Sequence, residues 1–318
     1  MKLLVKSALL VLAGLVFFLV AGVVAIWAPD KTVDELRGRW AQPPSQFVLI
    51  DGLRVHLRDE GPRDDPLPIV LIHGTSDSLH TWDGWATVLQ RQRRVIRFDL
   101  PGFGLTGPNQ DNDYSIKRYV SFVAAVLDHL GVQRCVLAGN SLGGQIAWAT
   151  AVAMPQRVRQ LVLVDASGYP VQPNAVPLAF ALARTPGARL ALEYLLPRGL
   201  VQSSLRKVYG DPSKVTPELV DRYYDMALRA GNRRALGYRM DLALVDESAR
   251  IKELSVPTLV MWGGQDPLIP LQAGRQFARD VPGARLVVFE GLGHLPQQED
   301  PLRTVGELQK FLDGKQPN

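Results

Sequence analysis

"VLAGNSLGGQIAWA" (residues 136–149) carries an apolar, strand-like stretch through a serine flanked by glycines two places away on either side and into an apolar, helix-like stretch. Its centre, Gly139-Asn140-Ser141-Leu142-Gly143, is a G-x-S-x-G directly after a predicted strand and directly before a predicted helix. In that setting the glycines allow a turn too tight for side chains and expose the Ser141 hydroxyl at its tip, while Gly144 lets the helix pack close to the sheet. A helix that begins just after the serine aims free N–H groups at the same point, so the Leu142 N–H is a candidate oxyanion donor. Taken alone, the pentapeptide fits a plain glycine-rich turn equally well.

The surrounding chain alternates strand and helix. "PIVLIHG" (68–74), "RVIRFDLPG" (94–102), "RCVLAGN" (134–140) and "QLVLVDASG" (160–168) are near-continuous β-branched and leucine runs, the pattern of strands buried on both faces of a parallel sheet. "FVLIDG" and "LRVHLRD" precede them as two alternating strands meeting at Asp51-Gly52, a strong hairpin signal. Helical windows span 115–130, with Ser115 as N-cap and Gly131 as stop, and 142–154, ended by Pro155. From about 170 to 255 only helical patterns occur, in 178–196, 205–209 and 217–240. The alternation resumes with "VPTLVMWGG" (256–264), a helix near 271–280, "ARLVVFEGLGH" (284–294) and a last helix over 300–312.

A serine is a weak nucleophile and needs a base. Of the five histidines, His56 lies in the hairpin, His80 in a loop, and His129 at a helix end that favours a cation, while His73 is expected to shape its loop. His294, in "FEGLGHLPQQEDP", follows the last predicted strand. That is the carboxyl edge of the sheet, where Ser141 must also lie and where ligands bind, so His294 is the candidate base. Asp266, in "MWGGQDPLIP", follows the preceding strand at the same edge and is the candidate orienting carboxylate. Asp165 is the rival acid, and Asp99 is expected to brace a loop.

The order serine, acid, histidine is that of α/β-hydrolases and differs from the chymotrypsin and subtilisin orders. With "HGT", "RFDLPGFGLTG", "GNSLGG", "WGGQDP" and "GLGH" in sequence, residues 47–312 resemble the α/β-hydrolase family. Within it the chain looks like membrane-anchored monoacylglycerol lipases and bacterial lipase-type carboxylesterases. The resemblance implies a mostly parallel eight-stranded sheet with helices on both faces and a helical cap insertion. It also implies a second oxyanion donor from the Thr75 N–H, and ester hydrolysis without cofactor or metal. The serine at the elbow separates the chain from epoxide hydrolases and haloalkane dehalogenases, whose elbow carries an aspartate. "HGTSDS" departs from the "HGxGPG" of the meta-cleavage carbon-carbon hydrolases. Carbon-carbon cleavage is therefore the lesser alternative, beside a non-catalytic binding protein, which would carry a broken triad.

The 318 residues, 47% hydrophobic and 21% charged, exclude a disordered chain. Residues 8–28 hold no charge, and at about 1.5 Å per residue this stretch spans roughly the 30 Å hydrocarbon core of a bilayer. Lys2 and Lys6 before it, and Val23-Val24-Ala25 near its end, fit a cleaved signal peptide. The run outlasts a signal's apolar region, and Trp27 and Pro29 follow at once, which favours a retained single-pass anchor. The expected organisation is an anchor over 1–28, a tether over 29–46, core over 47–170 and 254–318, and a helical cap over 171–253. The catalytic domain is expected outside the cytoplasm, periplasmic in a bacterium, and soluble there if the segment is cleaved.

Eleven basic residues against five acidic ones fall between 171 and 240, together with Leu178, Phe180, Leu190, Tyr194 and Leu196. This composition fits a lid over an acyl pocket, rimmed by cations that attract anionic headgroups. The net charge of +5 is modest for a chain this size and, without a nucleic-acid motif, does not suggest a DNA or RNA partner. Cys135 has no second cysteine with which to form a disulfide.

Overall fold

Asp51 and Gly52 both take the left-handed conformation (φ 49° and 76°) and turn β1 (Gln46–Ile50) back on β2 (Leu53–Glu60), as the Asp-Gly pair predicts. This is the computed structural model of the chain, and it describes residues 2–170, 172–242 and 246–314. Val171, where the cap was expected to start, and residues 243–245 within it lie outside the described residues.

The other strands are β3 (Ile69–Ile72), β4 (Val95–Phe98), β5 (Cys135–Asn140), β6 (Val158–Val164), β7 (Thr258–Gly263) and β8 (Arg285–Phe289). They form one eight-stranded sheet in the order β1-β2-β4-β3-β5-β6-β7-β8, parallel from β4 to β8. Side chains alternate across it. Leu71, Val136, Val162 and Leu259 pack on one face with Trp82 and Trp85, and Val70, Leu137, Leu161 and Val260 on the other with Trp148 and Phe277. Two apolar layers therefore hold the sheet, which is why its central strands read as continuous hydrophobic runs.

The first helices are α1 (Lys2–Ile26), α2 (Val33–Trp40), α3 (Asp83–Leu89), α4 (Ile116–His129) and α5 (Leu142–Ala153). The Ser115 hydroxyl caps α4 by accepting from the Arg118 N–H. Between β6 and β7 lie α6 (Leu178–Ala183), α7 (Pro186–Leu192), α8 (Arg198–Val208), α9 (Pro217–Leu228) and α10 (Asn232–Asp241). The chain ends with α11 (Leu271–Asp280), α12 (Pro296–Glu299) and α13 (Pro301–Leu312).

Two predicted helices are divided. The stretch 178–196 breaks before Pro186, which has no N–H to continue a helix. The stretch 217–240 breaks at Gly231 (φ 87°), because residue 31 is inserted there: the Lys31 N–H donates to the Leu228 carbonyl and the Ala230 N–H to the Lys31 carbonyl.

That insertion shows that residues 29–46 do not hang free. Leu36 and Trp40, four apart on α2, bury one face against Leu105 and Met226. Asp30 pairs with Arg233 at 2.6 Å and Lys31 with Asp225 at 2.6 Å. Ahead of them, α1 contains an 18-residue span, Leu9–Ile26, of mean hydropathy 3.0 with none of it buried. Among the described residues it is the one helix long and apolar enough to cross a membrane.

Candidate active site

Ser141 joins β5 to α5 with φ 55° and ψ −118°, a conformation in which a side-chain-bearing residue is strained. The turn closes because its flanks lack side chains. A Cβ on Gly139 would lie 2.1 Å from the Gly143 carbonyl oxygen, and one on Gly143 would lie 2.3 Å from that of Ile72. Ser141 is half-buried and lines a cavity of ≈ 280 Å³ between the sheet edge and the cap.

His294, 5% exposed, lines the same cavity from the loop after β8. Its Nδ1 lies 2.7 Å from Asp266 Oδ2, which leaves Nε2 for a substrate or the serine. Asp266 is fixed in turn, its Oδ1 accepting from the N–H groups of Leu268 (2.8 Å) and Ile269 (3.1 Å). Thr75 lines the cavity beside Ser76, which is left-handed (φ 59°). Leu142 is buried beneath it as the first residue of α5. Neither the Thr75 nor the Leu142 N–H donates to any group of the described residues, so both remain available to an incoming oxygen.

The remaining candidates lie elsewhere. Leu100 donates its N–H to His73 Nε2, so His73 carries its proton on Nδ1, facing the Gly74 carbonyl. Asp99 accepts from the N–H groups of Leu79 and Leu105 and contacts His56 Nδ1, which braces two loops. Burial pushes the Asp99 carboxyl up, but His56 beside it holds it well below the ordinary range. His80 is buried between Ser78 Oγ and the Trp40 carbonyl. Asp165 is also buried, behind Asp266, with its Oδ1 accepting from the Gly263 N–H at 2.9 Å.

Asp165, Asp266 and His294 each offer a donor atom within 4.8 Å of the others, the one such set of metal-ligating type among the described residues. The 2.7 Å gap from Nδ1 to Oδ2 is that of a proton held between two atoms, so His294 and Asp266 are already committed to each other.

Two residues missed in the sequence hold the histidine loop. Asn140 Nδ2 donates to the carbonyls of Val164 and His294, both at 3.1 Å. A polar side chain in an otherwise apolar strand was the available signal. Glu299 accepts from the N–H groups of Gly293 (2.7 Å) and Gly210 (2.9 Å), and His294 donates its own N–H to the Val208 carbonyl, which ties the loop to the end of α8. Nothing in the local sequence marks Glu299, because its partners come from the fold. Burial raises the Glu299 carboxyl, opposed by the N–H groups it accepts.

A family model for the alpha/beta hydrolase fold matches residues 68–301. The 2-hydroxy-6-oxo-2,4-heptadienoate hydrolase of Pseudomonas putida is 32% identical over 281 residues, covering 84% of this chain and 95% of that protein. A meta-cleavage product hydrolase from Pseudomonas fluorescens is similar in structure, with a TM-score of 0.73 at 26% identity over 85% of this chain and 97% of that one. A membrane phospholipase A, described as a bacterial virulence factor, gives a TM-score of 0.72 at 26% identity and covers 99% of both chains. The first two similarities leave part of this chain uncovered, and the third takes in nearly all of it.

Proposed function

This chain belongs to the α/β-hydrolase family, and from that premise we propose that it is a membrane-anchored serine hydrolase of carboxylic esters with lipid-like acyl groups. Ser141 attacks the ester carbonyl while His294 Nε2 takes the hydroxyl proton, and Asp266 holds the ring and stabilises the imidazolium. The N–H groups of Thr75 and Leu142 receive the oxyanion. Collapse of the tetrahedral species passes the proton to the leaving alcohol, and a water activated by His294 then releases the acid from the acyl-enzyme. α1 holds the enzyme in the bilayer, with the catalytic part outside the cytoplasm and the cap turned towards the lipid.

The observation carrying this reading is the cavity. Ser141 and His294 form its floor, and Phe180, Leu192, Leu196, Leu205 and Leu236 of the cap form an apolar wall suited to an acyl chain. Carbon-carbon cleavage is the second reading, favoured by the similarities to a 2-hydroxy-6-oxo-2,4-heptadienoate hydrolase and to a meta-cleavage product hydrolase and opposed by "HGTSDS" at 73–78.

A fluorophosphonate probe should label the full-length protein and not Ser141→Ala. That substitution should lower ester turnover by at least ~10⁴-fold. Retained turnover in Ser141→Ala refutes the nucleophile. Turnover of a 2-hydroxy-6-oxo-dienoate in preference to an ester series of graded acyl length decides for the second reading.

A further inference from the structure

Asp165 is a carboxyl group for which the mechanism above has no use. It follows β6 in the left-handed conformation (φ 44°), which residues other than glycine seldom adopt, and it is 0% exposed. Oδ1 accepts from the Gly263 N–H, while Oδ2 meets no donor among the described residues. One oxygen of Asp165, one of Asp266 and a ring nitrogen of His294 lie within 4.8 Å of one another. An ionised Asp165 would therefore place an unpaired acceptor, out of contact with water, beside a second carboxylate.

The groups acting on it come from three surrounding segments: Asp266 and the Gly263 N–H from β7 and its loop, His294 from the loop after β8, and Glu299 from α12. Among the described residues no lysine or arginine pairs with it. Burial drives its carboxyl well above the ordinary value, and Asp266 and Glu299 drive it further, against the Gly263 N–H.

We propose that Asp165 is a positioning residue of the triad, an un-ionised acid whose Oδ2–H donates to Asp266, so that the two carboxyls share one proton and present a single negative charge to His294. This rests on the assignment of Ser141, His294 and Asp266 made above. The shared proton spreads the charge of Asp266 over both carboxyls, beyond what the N–H groups on its Oδ1 already take up. Without the donor, that charge concentrates on the oxygen facing His294 Nδ1 and holds the imidazolium more tightly. The acid limb of the kcat/KM profile then moves to higher pH.

Two variants of the full chain in detergent micelles separate the cases. Asp165→Asn keeps a neutral donor towards Asp266 and an acceptor for Gly263, so the acid limb should stay where it is in the unaltered protein, whatever the rate. Asp165→Ala removes the donor, and the limb should rise by about one pH unit. A limb that falls in Asp165→Asn means that an ionised Asp165 was lost. A folded Asp165→Ala with an unmoved limb means that the residue is only structural, and either result overturns the proposal. Should Asp165→Ala fail to fold, infrared spectroscopy decides. At neutral pH the unaltered protein should show a protonated carboxyl C=O stretch that is missing from Asp165→Asn, and its absence from both defeats the idea. This band needs no turnover, so it can fail or hold independently of the Ser141→Ala test.

Discussion

Asn140 shows how much of the site depends on a residue that does no chemistry. Its amide spans two chain segments, the end of β6 and the His294 loop, through the carbonyls of Val164 and His294. Asn140→Ala would leave both carbonyls buried without this donor, and stability should fall by about 1–3 kcal/mol. The histidine loop loses its tie to the elbow at the same time, so kcat should fall by about tenfold with little change in KM. Urea denaturation and steady-state kinetics check both, and a variant matching the unaltered protein in each would remove Asn140 from the positioning machinery. The strained backbone at Ser141 and Asp165 belongs to the same scale, since both are non-glycine residues held at positive φ at the sheet edge.

At the scale of elements, the segment that leaves the apolar helix is stitched to the cap. The Ala28 N–H donates to the Tyr194 carbonyl, the Leu196 N–H donates to the Ile26 carbonyl, and Trp27 stacks on Tyr194. Asp30 then reaches Arg233, and Leu192, Leu196 and Arg233 also line the cavity that holds Ser141 and His294. The end of the apolar helix and the cavity wall are therefore joined by direct contacts. The Arg233 side chain is 7% exposed and that of Asp30 46%, so breaking this pair should cost about 2 kcal/mol, between exposed and buried values. Asp30→Asn combined with Lys31→Ala should still float with lipid vesicles, because α1 is intact. KM for a vesicle-borne ester should rise about tenfold, with turnover of a short soluble ester unchanged. Failure of the full-length protein itself to float would refute the anchor, and an unchanged KM in the variant would refute the coupling. Several cap cations expected at a free rim are instead held in such pairs, including Arg198 with Asp221 and Arg234 with Glu193.

For the whole molecule, two buried groups set opposing pH dependences. Burial, followed by the nearby Arg222, holds His80 down to about 3 from an ordinary 6.5. Between those values the unfolded chain binds a proton that the folded one refuses, so stability rises with pH there and is lost on acidification, by up to about 1.4 kcal/mol per unit. Asp165 acts in the other direction. Its folded-state carboxyl is raised, so the unfolded chain releases a proton that the folded one keeps, and stability falls as pH rises above the ordinary carboxylate range. Comparison with a variant isolates the first effect. His80→Gln keeps a donor for the Trp40 carbonyl, and between pH 6.5 and 5 it should lose about 2 kcal/mol less than the unaltered protein in urea denaturation. Equal losses in the two proteins would mean that His80 takes up a proton as readily in the folded protein as in the unfolded chain, so that burial does not hold it down.

The order of strands and helices, the hairpin at Asp51-Gly52, the Ser141 elbow and the sheet-edge positions of Asp266 and His294 were legible in the sequence. Each depends on local rules: hydrophobic period, turn chemistry, and the fact that parallel strands all end at one edge. The structure decided what depends on segments far apart in the chain. Residues 29–46 read as a tether because their charges and prolines look solvated, yet Asp30, Lys31 and Trp40 find partners at Arg233 and Asp225. The helix over 217–240 held one weak local signal, Gly231, and it divides there because residue 31 takes up the backbone groups of Leu228 and Ala230. Asp165 and Asp266 could be named as rivals from their positions at strand ends. Only the packing of β6 beside β7 brings the two carboxyls together, out of water and without a cation between them, so that a single proton has to serve both.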